Sequence, residues 1–218
     1  MECRVCASFC DFQLSGILLF MPYIIAGLGN PGEEYKETRH NAGRIMVEKI
    51  AKAYNFSEWK HDKKLNALTT KGEIDDEKIQ LVNPETFMNK SGSALSPLVT
   101  SVKKAEKLIV IYDDLDLPIG TLRMSFDRGS GGHRGLESIV KSIKTTAFIR
   151  IRVGIAPVTP SGKTKKPTGE SAVEKHILGE FKKAEQDILK KEAKKIVDIL
   201  PVLFKDGLSV AMSEFNKC

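Results

Sequence analysis

The sequence predicts a single α/β domain in which a mixed, twisted β-sheet is flanked by α-helices on both faces. Short apolar segments alternate along the chain with amphipathic segments at helical spacing, which is typical of this fold class. The length of 218 residues suits one domain. Hydrophobic residues make up 41% of the chain and charged residues 28%, a globular composition that excludes disordered and fibrous proteins.

The first half of the chain begins with a strand and a helix and continues with paired strands. Residues 23–28 are an apolar run that ends in Gly-Asn-Pro-Gly, typical of a strand followed by a turn. Apolar side chains recur at helical spacing over residues 43–55 and predict an amphipathic helix. Residues 65–70 and 78–82 predict two paired strands, joined by the polar residues 72–77.

The second half continues the alternation and ends in helices. Residues 107–112 contain Leu-Ile-Val-Ile, the best candidate for a buried strand, which we expect to stop at the acidic residues that follow. Two more strands and an intervening helix are predicted at residues 121–126, 149–155 and 135–144. Residues 156–171, rich in Pro, Gly, Thr and Lys, predict a long mobile loop. A helix of about twenty residues is predicted from Lys182 and a short one from Leu208.

The first twenty residues are predicted to lie outside the folded domain, as a leader or because Met21 is the effective start. This divides the chain into an extension, residues 1–20, and a domain, residues 21–218. The four cysteines are Cys3, Cys6, Cys10 and Cys218. Their positions exclude a disulfide framework within the domain and fit a reducing compartment. The first three could suggest a metal or iron–sulfur cluster, but three thiols with no histidine nearby are an incomplete ligand set.

The charge of the chain favours an anionic partner. The formal net charge is +6 and the isoelectric point is near 9.0. The extension carries one arginine against two acidic residues, so the positive charge belongs to the domain. No apolar run approaches the ~18 residues that a membrane-spanning helix needs, so we expect no membrane partner.

Residues 27–32 read Gly-Leu-Gly-Asn-Pro-Gly and match the G-x-G-x-x-G pattern of dinucleotide-binding loops. Two features argue against that function. Pro31 lacks the backbone N–H that a pyrophosphate would need, and the residues after Gly32 are too polar to open a helix with an apolar face. We therefore expect no nicotinamide or flavin cofactor.

Two polar segments place reactive side chains beside predicted strands, where α/β domains bind their ligands. His40 lies in the segment Thr-Arg-His-Asn-Ala-Gly, just before the first predicted helix. It is either a candidate catalytic base or a histidine that is structural or solvated. Asn89 lies in the segment Thr-Phe-Met-Asn-Lys-Ser-Gly. Its side-chain amide could hold a carbonyl or peptide group of a ligand, or the segment is only a turn that leads into a helix.

Two further segments carry charge. Asp113, Asp114 and Asp116 follow the most apolar strand and could bind a divalent metal, orient an imidazole, or form a solvated turn. Residues 128–135 are rich in glycine and basic side chains. Such a segment suits the binding of a phosphate or sugar, or it is only a flexible connector.

Taken together and in this order, the five segments resemble the bacterial-type peptidyl-tRNA hydrolase family, and the resemblance extends from Tyr23 to the C-terminus. It implies a monomeric α/β hydrolase that cleaves the ester between a peptide and the terminal ribose of tRNA. It further implies action in the cytoplasm, or in an organelle if the extension is a targeting segment. Cleavage of an activated ester needs a positioned water, a base and amide donors, so we expect no metal and no cofactor.

The resemblance also implies roles for individual residues. His40 matches the general base that activates water, and Asp113 matches the residue that orients it. Arg152 matches the position that contacts the 5′ phosphate of the tRNA. The other matched positions hold the substrate or the tRNA, and they are Asn30, Tyr35, Met88, Asn89, His133 and Arg134.

The sequence departs from the family pattern at Arg134, where the family usually has asparagine. The role of that asparagine, which positions water or substrate, therefore does not transfer to this chain. A cation at this position would bind a phosphate or, if close to His40, shift the pKa of that imidazole.

A non-catalytic RNA-binding protein on the same scaffold is the alternative, since organellar splicing factors resemble this family. The presence of His40, Asp113, Asn30 and Asn89 favours the hydrolase, because a pure binder has no need of them. Residues 150–175 carry six Lys or Arg against two Glu, a charge balance that suits a tRNA backbone in either case.

Overall fold

A seven-stranded mixed sheet with helices on both faces organises the residues that the computed structural model describes, which are 21–159 and 163–217. This confirms the predicted fold class. The predictions for the extension, including Cys3, Cys6 and Cys10, lie outside the described residues. No helix of the described residues is both long and apolar enough to cross a membrane.

The elements follow one another in an alternating order. The strands are β1 (Tyr23–Gly27), β2 (Lys60–Asp62), β3 (Ala67–Ile74), β4 (Glu77–Pro84), β5 (Leu108–Pro118), β6 (Leu122–Phe126) and β7 (Ile149–Ala156). The α-helices are α1 (Ala42–Ala53), α2 (Ser91–Leu95), α3 (Val102–Ala105), α4 (Arg134–Ile143), α5 (Glu170–Ile177), α6 (Lys183–Asp206) and α7 (Leu208–Phe215). The predicted helices over 43–55 and 135–144, and those beginning at Lys182 and Leu208, are thereby confirmed to within two residues.

The sheet has the strand order β2-β3-β4-β1-β5-β7-β6. Strand β1 pairs in parallel with β4 and β5, and β5 pairs in parallel with β7. The pairs β2–β3, β3–β4 and β6–β7 are antiparallel. The carboxyl ends of β1, β4, β5 and β7 therefore meet at one edge, which is where an open α/β sheet binds its ligands.

Both faces of the sheet are buried, which explains the continuous apolar runs of its central strands. Ile25 of β1 belongs to the core under α1, α6 and α7. Its neighbours Ile24 and Ala26 belong to the opposite core, under α2 and α4. Successive residues of a strand point to opposite faces, so every residue of such a strand has to be apolar.

Strand β5 does not stop at the acidic residues, and that expectation is wrong. It continues to Pro118 because β7 runs beside it, pairing Asp113 with Val153 and Asp114 with Gly154 before the register shifts. Gly154 permits this contact, since a Cβ atom there would lie 2.1 Å from the Pro118 carbonyl oxygen.

Other differences concern boundaries and short elements, among them the short helix α3, for which the sequence carried no prediction. The connection predicted over residues 72–77 shrinks to a two-residue turn, in which Asp75 adopts a left-handed conformation (φ 42°). The structure adds the short edge strand β2 and the helix α5, which takes over the end of the segment predicted as a loop over residues 156–171. None of the residues of α5 is fully buried, so its sequence lacks a strong apolar stripe.

We expect Gly92→Ala to destabilise the fold by about 1–3 kcal/mol, because α2 and α4 touch at this glycine. A Cβ atom at Gly92 would lie 2.1 Å from the backbone oxygen of Ser138, so the helices would have to separate. The free energy of unfolding from urea titration measures the effect. Gly129→Ala is the matched control, since a Cβ atom there meets nothing within 4 Å. Equal stability of the two variants would contradict the close helix contact.

Candidate active site

A cleft of about 1210 Å³ lies at the edge of the sheet where the parallel strands end. It brings together all nine site residues identified from the sequence: Asn30, Tyr35, His40, Met88, Asn89, Asp113, His133, Arg134 and Arg152. They come from separate turns and strands, so their convergence is produced by the sheet topology.

The centre of the cleft is the pair His40 and Asp113. Nδ1 of His40 lies 3.0 Å from both carboxylate oxygens of Asp113. Asp113 belongs to β5, the strand that lies between β1 and β7. Both residues are buried, with 8% and 4% of their surface exposed. Because Nδ1 faces a carboxylate, we assign the proton of the neutral ring to Nδ1, which leaves Nε2 as the basic nitrogen.

His40 is held against the sheet by the start of α1. It lies in the 3₁₀-helix Arg39–Asn41, which runs directly into α1. At Gly43 the helix backbone comes so close to the strands that a Cβ atom would lie 2.2 Å from the Ile111 carbonyl oxygen. The glycine of the Thr-Arg-His-Asn-Ala-Gly segment therefore allows His40 to approach the end of β5.

His133 is a second partner of the same carboxylate. Its Nε2 lies 3.1 Å from Oδ1 of Asp113, and its Nδ1 accepts the backbone N–H of Leu136 at 3.3 Å as the N-cap of α4. Since Nδ1 accepts a hydrogen bond, we assign the proton to Nε2, which donates it to Asp113. The resemblance placed His133 among the substrate- or tRNA-binding residues, and in the structure it lines the cleft and contacts Asp113.

The charges of these groups shift their pKa values in opposite directions. Burial lowers the pKa of His40, but the charge and hydrogen bond of Asp113 outweigh it and raise the pKa overall, against a smaller lowering by Arg134. Burial raises the pKa of Asp113, but His40 and His133 outweigh that and lower it overall. Asp113 is therefore ionised at neutral pH and stabilises a positive charge on His40.

Asn30 links three turns of the site. Its side-chain oxygen accepts the backbone N–H of Met88 at 2.8 Å. Its own backbone is bound on both sides by Asn41, whose side chain accepts from Asn30 N at 2.8 Å and donates to Asn30 O at 3.0 Å. Sequence reasoning missed Asn41, for which adjacency to His40 was the available signal. The side-chain NH₂ of Asn30 makes no hydrogen bond to the described residues and remains a donor for a ligand.

The Thr86–Gly92 segment supplies the other amide. Asn89 is exposed in the cleft, whereas Met88 is buried yet still forms part of its wall. Ser91 is fully buried and its hydroxyl donates to the Met88 carbonyl at 2.8 Å. The segment thus offers an amide group to a ligand, while its serine serves the turn.

The three acidic residues after β5's apolar run do not converge on a common point. Asp113 faces the two histidines, Asp114 accepts from Nε of Arg152 at 2.6 Å, and Asp116 pairs with Lys166. This geometry does not fit the metal site considered for Asp113, Asp114 and Asp116.

His40, Asp113 and His133 do place one potential ligand atom each within 4.8 Å of one another. Both histidines hydrogen-bond to the carboxylate, so a cation there would have to replace both hydrogen bonds. The arrangement fits a hydrogen-bonded triad as it stands.

The basic wall of the cleft contains both an exposed arginine, Arg134, and a buried one, Arg150. Arg134 pairs with Glu170 across the cleft at 3.1 Å, with 69% and 86% of the two side chains exposed. Arg150, by contrast, is buried and donates to the carbonyls of Gly129 (2.6 Å) and Arg128. These hydrogen bonds hold the glycine-rich loop, residues 128–135, in place. Sequence reasoning counted Arg150 with the phosphate-binding charges, and the structure assigns it to this loop.

The fold and the site together define a class of protein: a hydrolase of the α/β class with a buried His–Asp pair at the carboxyl edge of its sheet. The family model described as peptidyl-tRNA hydrolase matches residues 24–218. The chain belongs to the peptidyl-tRNA hydrolase family.

Curated relatives and solved structures agree with this assignment. The chain is 37% identical to the peptidyl-tRNA hydrolase of Carboxydothermus hydrogenoformans over 196 residues, which cover 89% of this chain and 98% of the relative. It is 39% identical to that of Thermoanaerobacter sp. (strain X514) over 195 residues, covering 89% and 99%. The crystal structure of peptidyl-tRNA hydrolase from Acinetobacter baumannii is similar with a TM-score of 0.79 at 32% identity, covering 89% of this chain and 94% of that one. The comparisons confirm the resemblance and give no support to the non-catalytic alternative.

We expect Asp113→Asn to lower the pKa of His40 below its wild-type value. The carboxylate charge is what raises it, and without that charge the burial of the ring and the positive charge of Arg134 both lower it. Titration of the His40 ring followed by NMR measures the change. Asp116→Asn is the control, because Asp116 pairs with Lys166 away from His40. An unchanged or raised pKa in Asp113→Asn would contradict the assigned electrostatics.

Proposed function

We propose that this protein hydrolyses the ester bond between the peptide and the tRNA of peptidyl-tRNA, with His40 as the general base. The observation that carries the proposal is the buried contact of His40 with Asp113, which leaves Nε2 of the ring as the nitrogen that takes up a proton. Release of free tRNA from prematurely dissociated peptidyl-tRNA is the role that follows.

In the proposed mechanism, Nε2 of His40 takes a proton from a water molecule as its oxygen attacks the ester carbonyl carbon. The new C–O bond forms, and the carbonyl electrons move to the oxygen of a tetrahedral intermediate. When the intermediate collapses, the bond to the ribose oxygen breaks, and the imidazolium returns the proton to that oxygen. The products are a peptide with a free carboxyl group and a tRNA with a free ribose hydroxyl.

Asp113 and His133 support the charge that develops on His40. The lowered pKa of Asp113 keeps it ionised, so it stabilises the imidazolium that forms during attack. The hydrogen bond from His133 occupies one oxygen of the carboxylate and fixes its orientation. We propose no metal and no cofactor for this step.

The remaining cleft residues are proposed to hold the substrate. The amide NH₂ groups of Asn30 and Asn89 are available donors for the peptide and the developing oxyanion, while Met88 and Tyr35 form the walls beside them. Arg134 and Arg152 supply positive charge for tRNA phosphates. Arg152 already pairs with Asp114, so a phosphate would share its guanidinium with that carboxylate.

We also propose that the protein acts as a monomer composed of a domain, residues 21–218, and an extension, residues 1–20. One chain supplies all nine site residues identified from the sequence, which supports a site complete in a single copy. The family match begins at residue 24, which supports the division. Peptidyl-tRNA occurs where translation takes place, so we propose the cytoplasm, or an organelle if the extension targets the protein there.

We expect His40→Asn to lower kcat/KM for N-acetyl-aminoacyl-tRNA by about 10²- to 10⁴-fold, because general base catalysis is lost. Binding of uncharged tRNA should be retained, since the phosphate-binding side chains are untouched. Release of the labelled N-acetyl-amino acid measures turnover. His61→Asn is the control, because His61 is exposed on the edge strand β2. Full turnover by His40→Asn would overturn the proposed base.

We expect turnover to survive treatment of the enzyme with EDTA followed by removal of the chelator. The proposed step uses only a side-chain base and amide donors, so no divalent cation takes part in it. The same release assay, with and without added Zn²⁺, Mn²⁺ or Mg²⁺, and metal analysis of the treated enzyme test this. Activity that is lost and then restored by one of these ions would assign the ion to His40, Asp113 and His133 instead.

A further inference from the structure

The turn that carries His40 is fastened to the segment that connects α5 to α6. The backbone N–H of Arg39 donates to the Gly179 carbonyl at 3.0 Å. Phe181 N donates to the Glu37 carbonyl at 2.9 Å, and residues 38 and 180 form an isolated antiparallel bridge. These contacts join two parts of the chain that are about 140 residues apart, so a short β-like pairing supports the catalytic turn.

The side chain of Arg39 extends this junction. It is buried, with 7% of its surface exposed. Nη2 donates to Oε2 of Glu185 in α6 at 2.7 Å, and Nη1 donates to the His176 carbonyl at the end of α5 at 3.5 Å. The guanidinium lies over the ring of Phe181, 5.6 Å from its centroid. One planar fork therefore contacts α5, α6 and the segment between them, which a lysine could not do.

The elements that Arg39 contacts form a wall of the cleft. Glu170, Val173 and Ile177 of α5 line the cleft. The end of α5 is also tied to the sheet, because the ring Nε2 of His176 lies 2.9 Å from the Ile155 carbonyl oxygen of β7. Arg39, the residue next to the proposed base, thus joins the His40 turn to a part of the cleft wall that is tied to the sheet.

The start of α1 secures the His40 turn on the side of the strands, where Gly43 lies against β5. The 3₁₀-helix Arg39–Asn41 has no side-chain hydrogen bond at its N-cap. The neighbouring hydrogen bonds of Asn41 hold the Asn30 turn, which lies on the β1 side. On the α5–α6 side the side chain of Arg39 supplies the corresponding support.

We propose that Arg39 is a positioning residue for His40, which holds the His40 turn against the α5–α6 segment so that Nδ1 keeps its contact with Asp113. The inference rests on the proposed function, because it assigns importance to His40. Arg39 contacts neither the reacting atoms nor the substrate in this role and acts through its neighbour. The alternative is that Arg39 only contributes to the stability of the fold.

The test compares Arg39→Lys with Tyr54→Phe. Arg39→Lys keeps the positive charge, so any change reflects the lost fork and not a lost charge near His40. Tyr54→Phe removes the 2.8 Å hydrogen bond from the Tyr54 hydroxyl to the Val197 carbonyl of α6. Tyr54 follows the last residue of α1, at the end of that helix that is remote from His40. Glu185→Gln disrupts the same ion pair from α6 and serves as the second variant.

Three measurements are made on each variant: kcat and KM with N-acetyl-aminoacyl-tRNA, the unfolding midpoint, and the NMR titration of the His40 ring. For Arg39→Lys we expect kcat to fall on the order of tenfold or more with KM unchanged, because small displacements of a reacting group are costly. Three titratable or charged groups face the His40 ring. They are Asp113 of β5, His133 at the N-cap of α4 and Arg134 at the start of α4. A weaker contact with Asp113 lowers the pKa of His40, so the acidic limb of the kcat profile should move to lower pH.

Glu185→Gln should change kcat and the His40 titration in the same directions, and the double variant should be no worse than Arg39→Lys alone. Tyr54→Phe should lower stability and leave kcat and the titration unchanged. Arg39→Lys with wild-type kcat, or with an unchanged His40 titration at any loss of stability, would overturn the positioning role. Failure of the proposed function has a different signature, which is full turnover by His40→Asn.

Discussion

One carboxylate, shared between two histidines at the end of a buried strand, is the constraint on which the cleft depends. Asp113 accepts hydrogen bonds from His40, which lies in the turn before α1, and from His133, which caps the start of α4. A buried charge is costly unless it is paired and hydrogen-bonded, so both turns have to be in place for Asp113 to remain ionised. The placement of the proposed base and the docking of α4 are therefore parts of one electrostatic requirement.

The fold class and the membership of the site were predictable because the informative residues stand at the ends of strands. Parallel strands bring those ends together, so the five segments had to meet in one cleft. What the segments contribute individually was less predictable, since it depends on partners remote in sequence. Asp114 and Asp116 pair with Arg152 and Lys166, which lie 38 and 50 residues further along the chain. Three carboxylates within four residues are typical of a metal site, and only the partners of Asp114 and Asp116 argue against that interpretation.

The elements that the sequence did not predict share a physical cause, which is dependence on tertiary contacts. Strand β5 runs on through polar residues because β7 supplies its hydrogen-bonding partner. Helix α5 has no fully buried residue, so helical periodicity is weak in its sequence although its contacts with the His40 turn are specific. The hydrogen bonds of His133 to Asp113 and of Arg150 to the glycine-rich loop join residues about 20 positions apart, so no local sequence pattern indicates them.

The parallel pairing of β1 also bears on the order in which the chain folds. Tyr23 pairs with Ile79, and Ile24 pairs with both Gln80 and Leu108, so the first strand is completed only by residues made much later. Such non-local pairings make folding slow, because long loops close before their contacts form. During synthesis the chain has to expose the apolar β1 until β4 and β5 have left the ribosome. Asp114 acquires its partner only with β7, and the His40 turn is fastened last, once residues 176–185 emerge. The cleft is therefore complete only after residues 176–185 have been made, which is late in the synthesis of the chain.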